Sequence, residues 1–163
     1  MRFVLAAALL IAPGAALAFE VGGVALGASE ARLRHAFPSA YCKPLEWNSR
    51  AAERRCDDAR ISFAGVQARV TFFLHEGTVQ GFQLRFDARD RARVEAALRS
   101  QWGAPSAENR NLIQRKGQKD SEVYNIVWNR DADHATLTWR PERKRAWIMV
   151  SRGDFAAEIY RVR

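Results

Sequence analysis

The chain has 163 residues, with 26 Lys and Arg against 18 Asp and Glu, giving a formal net charge of +8. Apolar types make up 48% and charged types 27%. That ordinary globular balance excludes a disordered, collagen-like or coiled-coil chain, and the length fits one domain or two small repeats sharing a core.

Residues 1–18 read MRFVLAAALLIAPGAALA. A single charge, Arg2, precedes an apolar run from Phe3 to Ala12, then Pro13-Gly14 breaks the run and Ala16-Leu17-Ala18 follows. This is the pattern of a secretory signal peptide cleaved after Ala18. The run is shorter than the ~20 residues a helix needs to cross a bilayer. No later stretch is apolar enough to span. The expectation is therefore a periplasmic or secreted protein that does not span the membrane, with residues 19–163 forming one domain. Phe19 stands where a lipoprotein would carry its lipid-bearing Cys.

Ser29 is placed to cap a helix through Ala36, with Leu33 and Phe37 on one face and Phe37-Pro38 ending it. A loop holding Cys42 and Cys56 follows. In an exported chain, two cysteines are most simply one disulfide, closing a loop worth about 3 kcal/mol in the chain-entropy picture. A redox pair would need the spacing C-x-x-C. Zinc would need four ligands at short spacing, which these cysteines and the scattered His35, His75 and His134 do not offer. Three strands are then predicted: Arg60–Phe63, Ala68–Leu74 with Val70, Phe72 and Leu74 on one face, and Thr78–Phe86 with Phe82, Leu84 and Phe86 on one face. Glu76-Gly77 reads as the tight turn between the last two.

The same order then returns. Asp90 is placed to cap a helix through Trp102, stopped by Gly103 and Pro105. A polar, basic loop runs from Ser106 to Asp120. Strands are predicted over Glu122–Trp128, Ala135–Trp139 and Ala146–Ser151, with Pro141–Lys144 as the last hairpin turn. A short final helix from Asp154 to Val162 would turn Phe155, Ile159 and Val162 inward. The expected fold class is α+β: two helix–loop–three-strand repeats, residues 23–87 and 88–152, with both helices packed on one face of an antiparallel sheet and a tail over 153–163. The strand aromatics Phe72, Phe86, Trp128, Trp139 and Trp147 read as core rather than as a ligand box.

The opening Gly23-Val24-Ala25-Leu26-Gly27-Ala28-Ser29, leading into a helix that ends at Phe37-Pro38, resembles that of small bacterial envelope proteins. The layout is similar to that of the small-protein-A type outer-membrane assembly lipoproteins and, in its doubled form, to the β-lactamase inhibitory protein family. That resemblance implies a tandem α/β fold with a concave sheet and a role as a binding scaffold. It assigns no functional residue.

No catalytic set emerges. Asp57-Asp58 and Asp87/Asp90 are close along the chain, but chain neighbours rarely converge on one substrate bond, and each pair sits where Asp serves local hydrogen bonding. Asn129–Asp133 spaces oxygen ligands like the start of a calcium loop, yet lacks its Gly and its final Glu, so it reads as a hairpin loop. Nucleophile-elbow and nucleotide-binding glycine motifs are missing from the sequence. No catalytic, cofactor-binding or metal residue is assigned, and no cofactor is expected.

The basic runs are the candidate contact residues: Arg115, Lys116 and Lys119 in the central loop, near Arg110, and Arg143, Lys144 and Arg145 at the last hairpin, near Arg140. Such a patch attracts phosphates and carboxylates. Export argues against nucleic acid, leaving anionic lipid, lipopolysaccharide or an acidic protein as partners. Only four of the basic residues are Lys, which fits Arg-favouring codon usage, so a merely solvated face stands beside the patch as an explanation. The expectation is a non-enzymatic binding or adaptor module of the bacterial cell envelope, the alternative a hydrolase with scattered carboxylates.

Overall fold

The structure is a computed structural model describing residues 18–114, 117 and 120–161. The expected signal peptide lies outside the described residues, except for Ala18. A two-residue hairpin opens the fold, β1 (Glu20–Val21) and β2 (Val24–Ala25), turned by Gly22-Gly23 at positive φ. Helix α1 (Glu30–Ala36) follows, its first turn capped by the Ser29 hydroxyl accepting from the Arg32 N–H at 3.2 Å. Then come β3 (Tyr41–Pro44), β4 (Arg54–Phe63), β5 (Val66–His75) and β6 (Thr78–Asp87). A 3-10 turn (Ala88–Asp90) leads into α2 (Arg91–Trp102). The chain continues through β7 (Ala107–Ile113), β8 (Ser121–Arg130), β9 (Asp133–Trp139) and β10 (Arg145–Arg152) to α3 (Phe155–Glu158).

Strands β3 to β10 form one antiparallel sheet in the order β3-β4-β5-β6-β10-β9-β8-β7. The expected layout of two helix–loop–three-strand repeats, with the helices on one sheet face, is overturned. Among the described residues 51% are strand and 19% helix. Two segments read as loop are strands. Tyr41–Pro44 pairs with Arg54–Asp57, so the cysteine loop holds β3 and the first half of β4. Ala107–Ile113, inside the predicted basic loop, is the edge strand β7. Helical cover is not confined to one face either, because α3 lies opposite α1 and α2.

Both misreadings have a physical cause. In β4 the register slips between Asp58 and Ile61, a bulge. Cys56 and Asp58 point inward before it, Ile61 and Phe63 after it, so the period of two changes phase and hides the strand. In β7, Ala107 to Leu112 are all exposed, so no alternation exists to be read.

One sheet face carries the main core. Phe72, Phe82, Leu84, Leu137 and Ile148 from the strands meet Leu33 of α1 and Val94, Leu98 and Trp102 of α2, all fully or nearly fully buried. Trp102 also packs edge-on against Trp128 and against Phe19. The opposite face is covered over only part of its length. There Phe73, Ala52, Phe155 and Ile159 form a second, small cluster, with Trp47 packed on it. The Trp47 indole donates to the Ile159 carbonyl at 2.7 Å and holds α3 against the sheet. Cys42 and Cys56 are bonded and face each other across β3 and β4, as expected. None of the described helices is long and apolar enough to cross a membrane.

Candidate functional site

The antiparallel order brings several turns to the same end of the sheet. Arg145 lies opposite Asp87, and Ala68 opposite Phe86, so the β9–β10 turn, the 3-10 turn before α2 and the β4–β5 turn are neighbours. The Ala88 N–H donates to the Lys144 carbonyl at 2.9 Å and fastens two of them together. The Ser121 hydroxyl donates to the Glu142 carboxylate, so β8 begins at this end too. Arg143, Lys144 and Arg145 are exposed here. Arg115, Lys116 and Lys119 lie outside the described residues.

On the helix side of the end is a cleft of about 600 Å³, lined among others by Arg89, Arg91, Trp139, Arg140, Arg143 and Lys144. Two of its lining residues, Arg91 and Trp139, begin a four-membered stack. The Arg91 guanidinium sits 4.6 Å above Trp139, Trp139 lies parallel to Tyr124 at 5.1 Å, and Arg110 covers Tyr124 at 5.7 Å. Each such cation–ring contact contributes about 0.5–1 kcal/mol at an exposed site. The Arg140 Nε is shielded from solvent without a hydrogen-bond partner.

Two carboxylates reach this cleft, and both are engaged. Asp87 accepts from the Arg89 side chain at 3.1 and 2.8 Å and from the Arg89 N–H at 2.9 Å. That guanidinium holds the Asp87 pKa down to about 2. Glu142 is also shifted down, first by the Ser121 hydroxyl, then by its own backbone N–H and by Arg140 and Arg143. Both stay ionised at neutral pH. Neither forms an ion pair with Arg143, Lys144 or Arg145.

The bare sheet face at this end adds residues that sequence reasoning missed. Arg69 of β5 stands directly opposite Arg85 of β6, and Arg85 directly opposite Trp147 of β10. Like charges facing each other across a ladder are destabilising by roughly 0.2–1 kcal/mol. No described carboxylate lies within ion-pair distance of either arginine. Arg85 Nε donates to the buried Gln83 Oε1 at 2.8 Å, which fixes the guanidinium. Two shallow depressions adjoin here and share Arg85 and Arg145. One, of about 380 Å³, is lined by Ala59, Gln67, Arg69 and Lys144 as well. The other, of about 410 Å³, is lined by Gln83, Trp147 and Tyr160. Trp147, expected in the core, is therefore half-buried on the opposite face, and Trp139 is half-buried at the cleft, whereas Trp128, Phe72 and Phe86 are core as expected.

The carboxylate pairs do not converge. Asp58 points inward and accepts from the Ser39 hydroxyl at 2.6 Å, while Asp57 lies on the other face, bound to Thr71 and Arg55. Asn129–Asp133 spans the β8–β9 turn, as expected, with Asp133 held by Arg152 at 2.7 Å. Glu30, Cys42 and Cys56 are the one grouping of potential metal ligands among the described residues, and its two sulfurs are spent on the disulfide.

Comparison with protein-family models, curated proteins and solved structures gives no match. The resemblance carried by Gly23–Ser29 is thus neither supported nor opposed by relatives.

Proposed function

We propose that the chain is a non-enzymatic binding module of the bacterial cell envelope, periplasmic or secreted, that engages an anionic envelope component through the basic end of its sheet. The residue pattern of 1–18 and the Cys42–Cys56 disulfide support an exported setting. The observation that carries the reading is the imbalance at that end. Among the described residues, Arg143, Lys144, Arg145, Arg69 and Arg85 form no ion pair, while the nearby Asp87 and Glu142 are already engaged. A cluster with this excess of positive charge raises the local concentration of anions and steers them inward.

The test is co-sedimentation with phosphatidylglycerol vesicles and with lipopolysaccharide. Replacing Arg143, Lys144 and Arg145 together by Ala should weaken binding strongly. Thermal stability should hardly move, since solvated surface substitutions stay within about 0.5 kcal/mol. Binding should also fade with salt, as the screening length falls to about 3 Å at 1 M. Equal binding by the triple variant and the parent, or no binding by the parent at low salt, overturns the proposal.

A further inference from the structure

We infer that the bare sheet face holds a phosphorylated sugar, its phosphate in the cationic depression and its ring in the aromatic one. The inference rests on the reading that this end binds anions, and it names the ligand class. Four cations border the first depression, Arg69, Arg85, Lys144 and Arg145, from three strands and a turn that meet where the two halves of the sheet join. Asp87, the carboxylate bordering it, is already bound by Arg89. The β4 bulge places Ala59 on the wall, so only a methyl group intrudes there. With Nε of Arg85 held by Gln83, its terminal nitrogens form a fixed fork, the geometry that pairs with two oxygens of one phosphate. A phosphomonoester carries close to two charges at neutral pH and suits four unpaired cations better than a carboxylate does.

The second depression selects what the phosphate is attached to. It shares Arg85 and Arg145 with the first, so the two depressions adjoin and one ligand can reach into both. Trp147 and Tyr160 offer ring faces, and the C–H face of a pyranose packs on such rings, while Gln83 supplies a polar contact. Tyr160 is stacked on Trp47 at 5.8 Å, and Trp47 is tied to the Ile159 carbonyl, so this wall is braced before any ligand arrives. A bound ring would be flanked by the α3 segment on one side and the arginines on the other.

Isothermal titration of the full chain with α-D-glucose 1-phosphate, inorganic phosphate and methyl α-D-glucoside tests this. Glucose 1-phosphate should bind about tenfold or more tighter than inorganic phosphate, and the uncharged glucoside should not bind measurably. Trp147→Ala should bring glucose 1-phosphate down to the level of inorganic phosphate and leave the latter unchanged. Arg85→Gln should weaken both by about tenfold, with Arg69→Gln as an independent variant should the first fail to fold. Arg93→Ala, on the exposed side of α2 and outside both depressions and the basic end, should leave glucose 1-phosphate within about twofold of the parent. Equal affinity for the two phosphates, or insensitivity to Trp147→Ala, overturns the inference. Phosphatidylcholine vesicles with and without monophosphoryl lipid A separate the two sources of this chemistry. Binding only to the loaded vesicles, competed by glucose 1-phosphate, assigns a glycolipid headgroup, and binding of glucose 1-phosphate without vesicle capture assigns a free sugar phosphate. If no phosphate binds while phosphatidylglycerol vesicles still do, this inference falls and the broader proposal stands. If neither binds, both fall.

Discussion

Gly81 lies in the middle of β6, directly beneath the ring of Phe155. A Cβ at this position would stand 2.4 Å from Cε1, 2.7 Å from Cδ1 and 2.9 Å from Cζ of that ring. All three are well inside van der Waals contact. Gly81 adjoins the β5–β6 irregularity but is not at positive φ, so Gly81→Ala introduces no left-handed strain, and the ring must respond. Phe155 is 6% exposed and anchors the small cluster that docks α3, together with Phe73 and Ile159. Overpacking of this kind typically costs 1–3 kcal/mol, which for a chain of this length lowers Tm by roughly 2–12 °C. If the ring is expelled entirely, the loss approaches the ~3–5 kcal/mol of a buried Phe→Ala change. A double-mutant cycle isolates the cause. In a Phe155→Ala background the added methyl has room, so Gly81→Ala should be far milder there, giving a coupling of about 0.5–3 kcal/mol. Thermal unfolding followed by circular dichroism supplies all four values. A Tm for Gly81→Ala within about 1 °C of the parent, or an additive cycle, would refute the argument that this glycine exists to let α3 lie on the sheet.

Two further outcomes follow from the geometry. Replacing Cys42 and Cys56 by Ser should cost about 3 kcal/mol, lowering Tm by roughly 6–12 °C, because the cross-link restrains the unfolded chain, and an unchanged Tm would contradict it. Asp87 should titrate near pH 2 in the folded protein, below its ordinary range near 4. Its pKa is depressed, so the stability it contributes is full above about pH 4 and is lost as pH falls toward 2, and a carboxyl carbon-13 titration with its midpoint near 4 would contradict it.

How much of this was legible depends on how local each feature is. The inward alternation of Val70, Phe72 and Leu74, and of Phe82, Leu84 and Phe86, marks β5 and β6 within a residue or two. The Glu76-Gly77 turn has positive φ at both positions, as a two-residue hairpin requires. Capping was read correctly at Ser29 but not before α2, where Asp87 accepts from the Arg89 N–H and Asp90 caps nothing, because a 3-10 turn intervenes. Arg69 and Arg85 were harder. Counting outward from the two-residue turn sets Arg69 against Leu84, and only the irregularity near Leu74 and Val79 moves it opposite Arg85. The clue is the change of phase between the inward Val79 and the inward Phe82. The pairing of β6 with β10 had no local signal at all, since nothing in either strand names its partner.

That pairing also sets an order of events. Strands β4 to β6 are joined by short turns, as are β8 to β10, so each half can zip locally. The two halves meet only when Thr78–Asp87 finds Arg145–Arg152, far along the chain. β10 is the latest strand in the sequence yet occupies the centre of the sheet. A nascent chain therefore carries β6 with one flank unpaired until β10 arrives, and during that interval an aggregation-prone edge lies in what becomes the middle of the molecule. The two arginines facing each other on β5 and β6 lie beside that flank on the bare face. The positive charge they present at that flank opposes the approach of a second copy carrying the same charge.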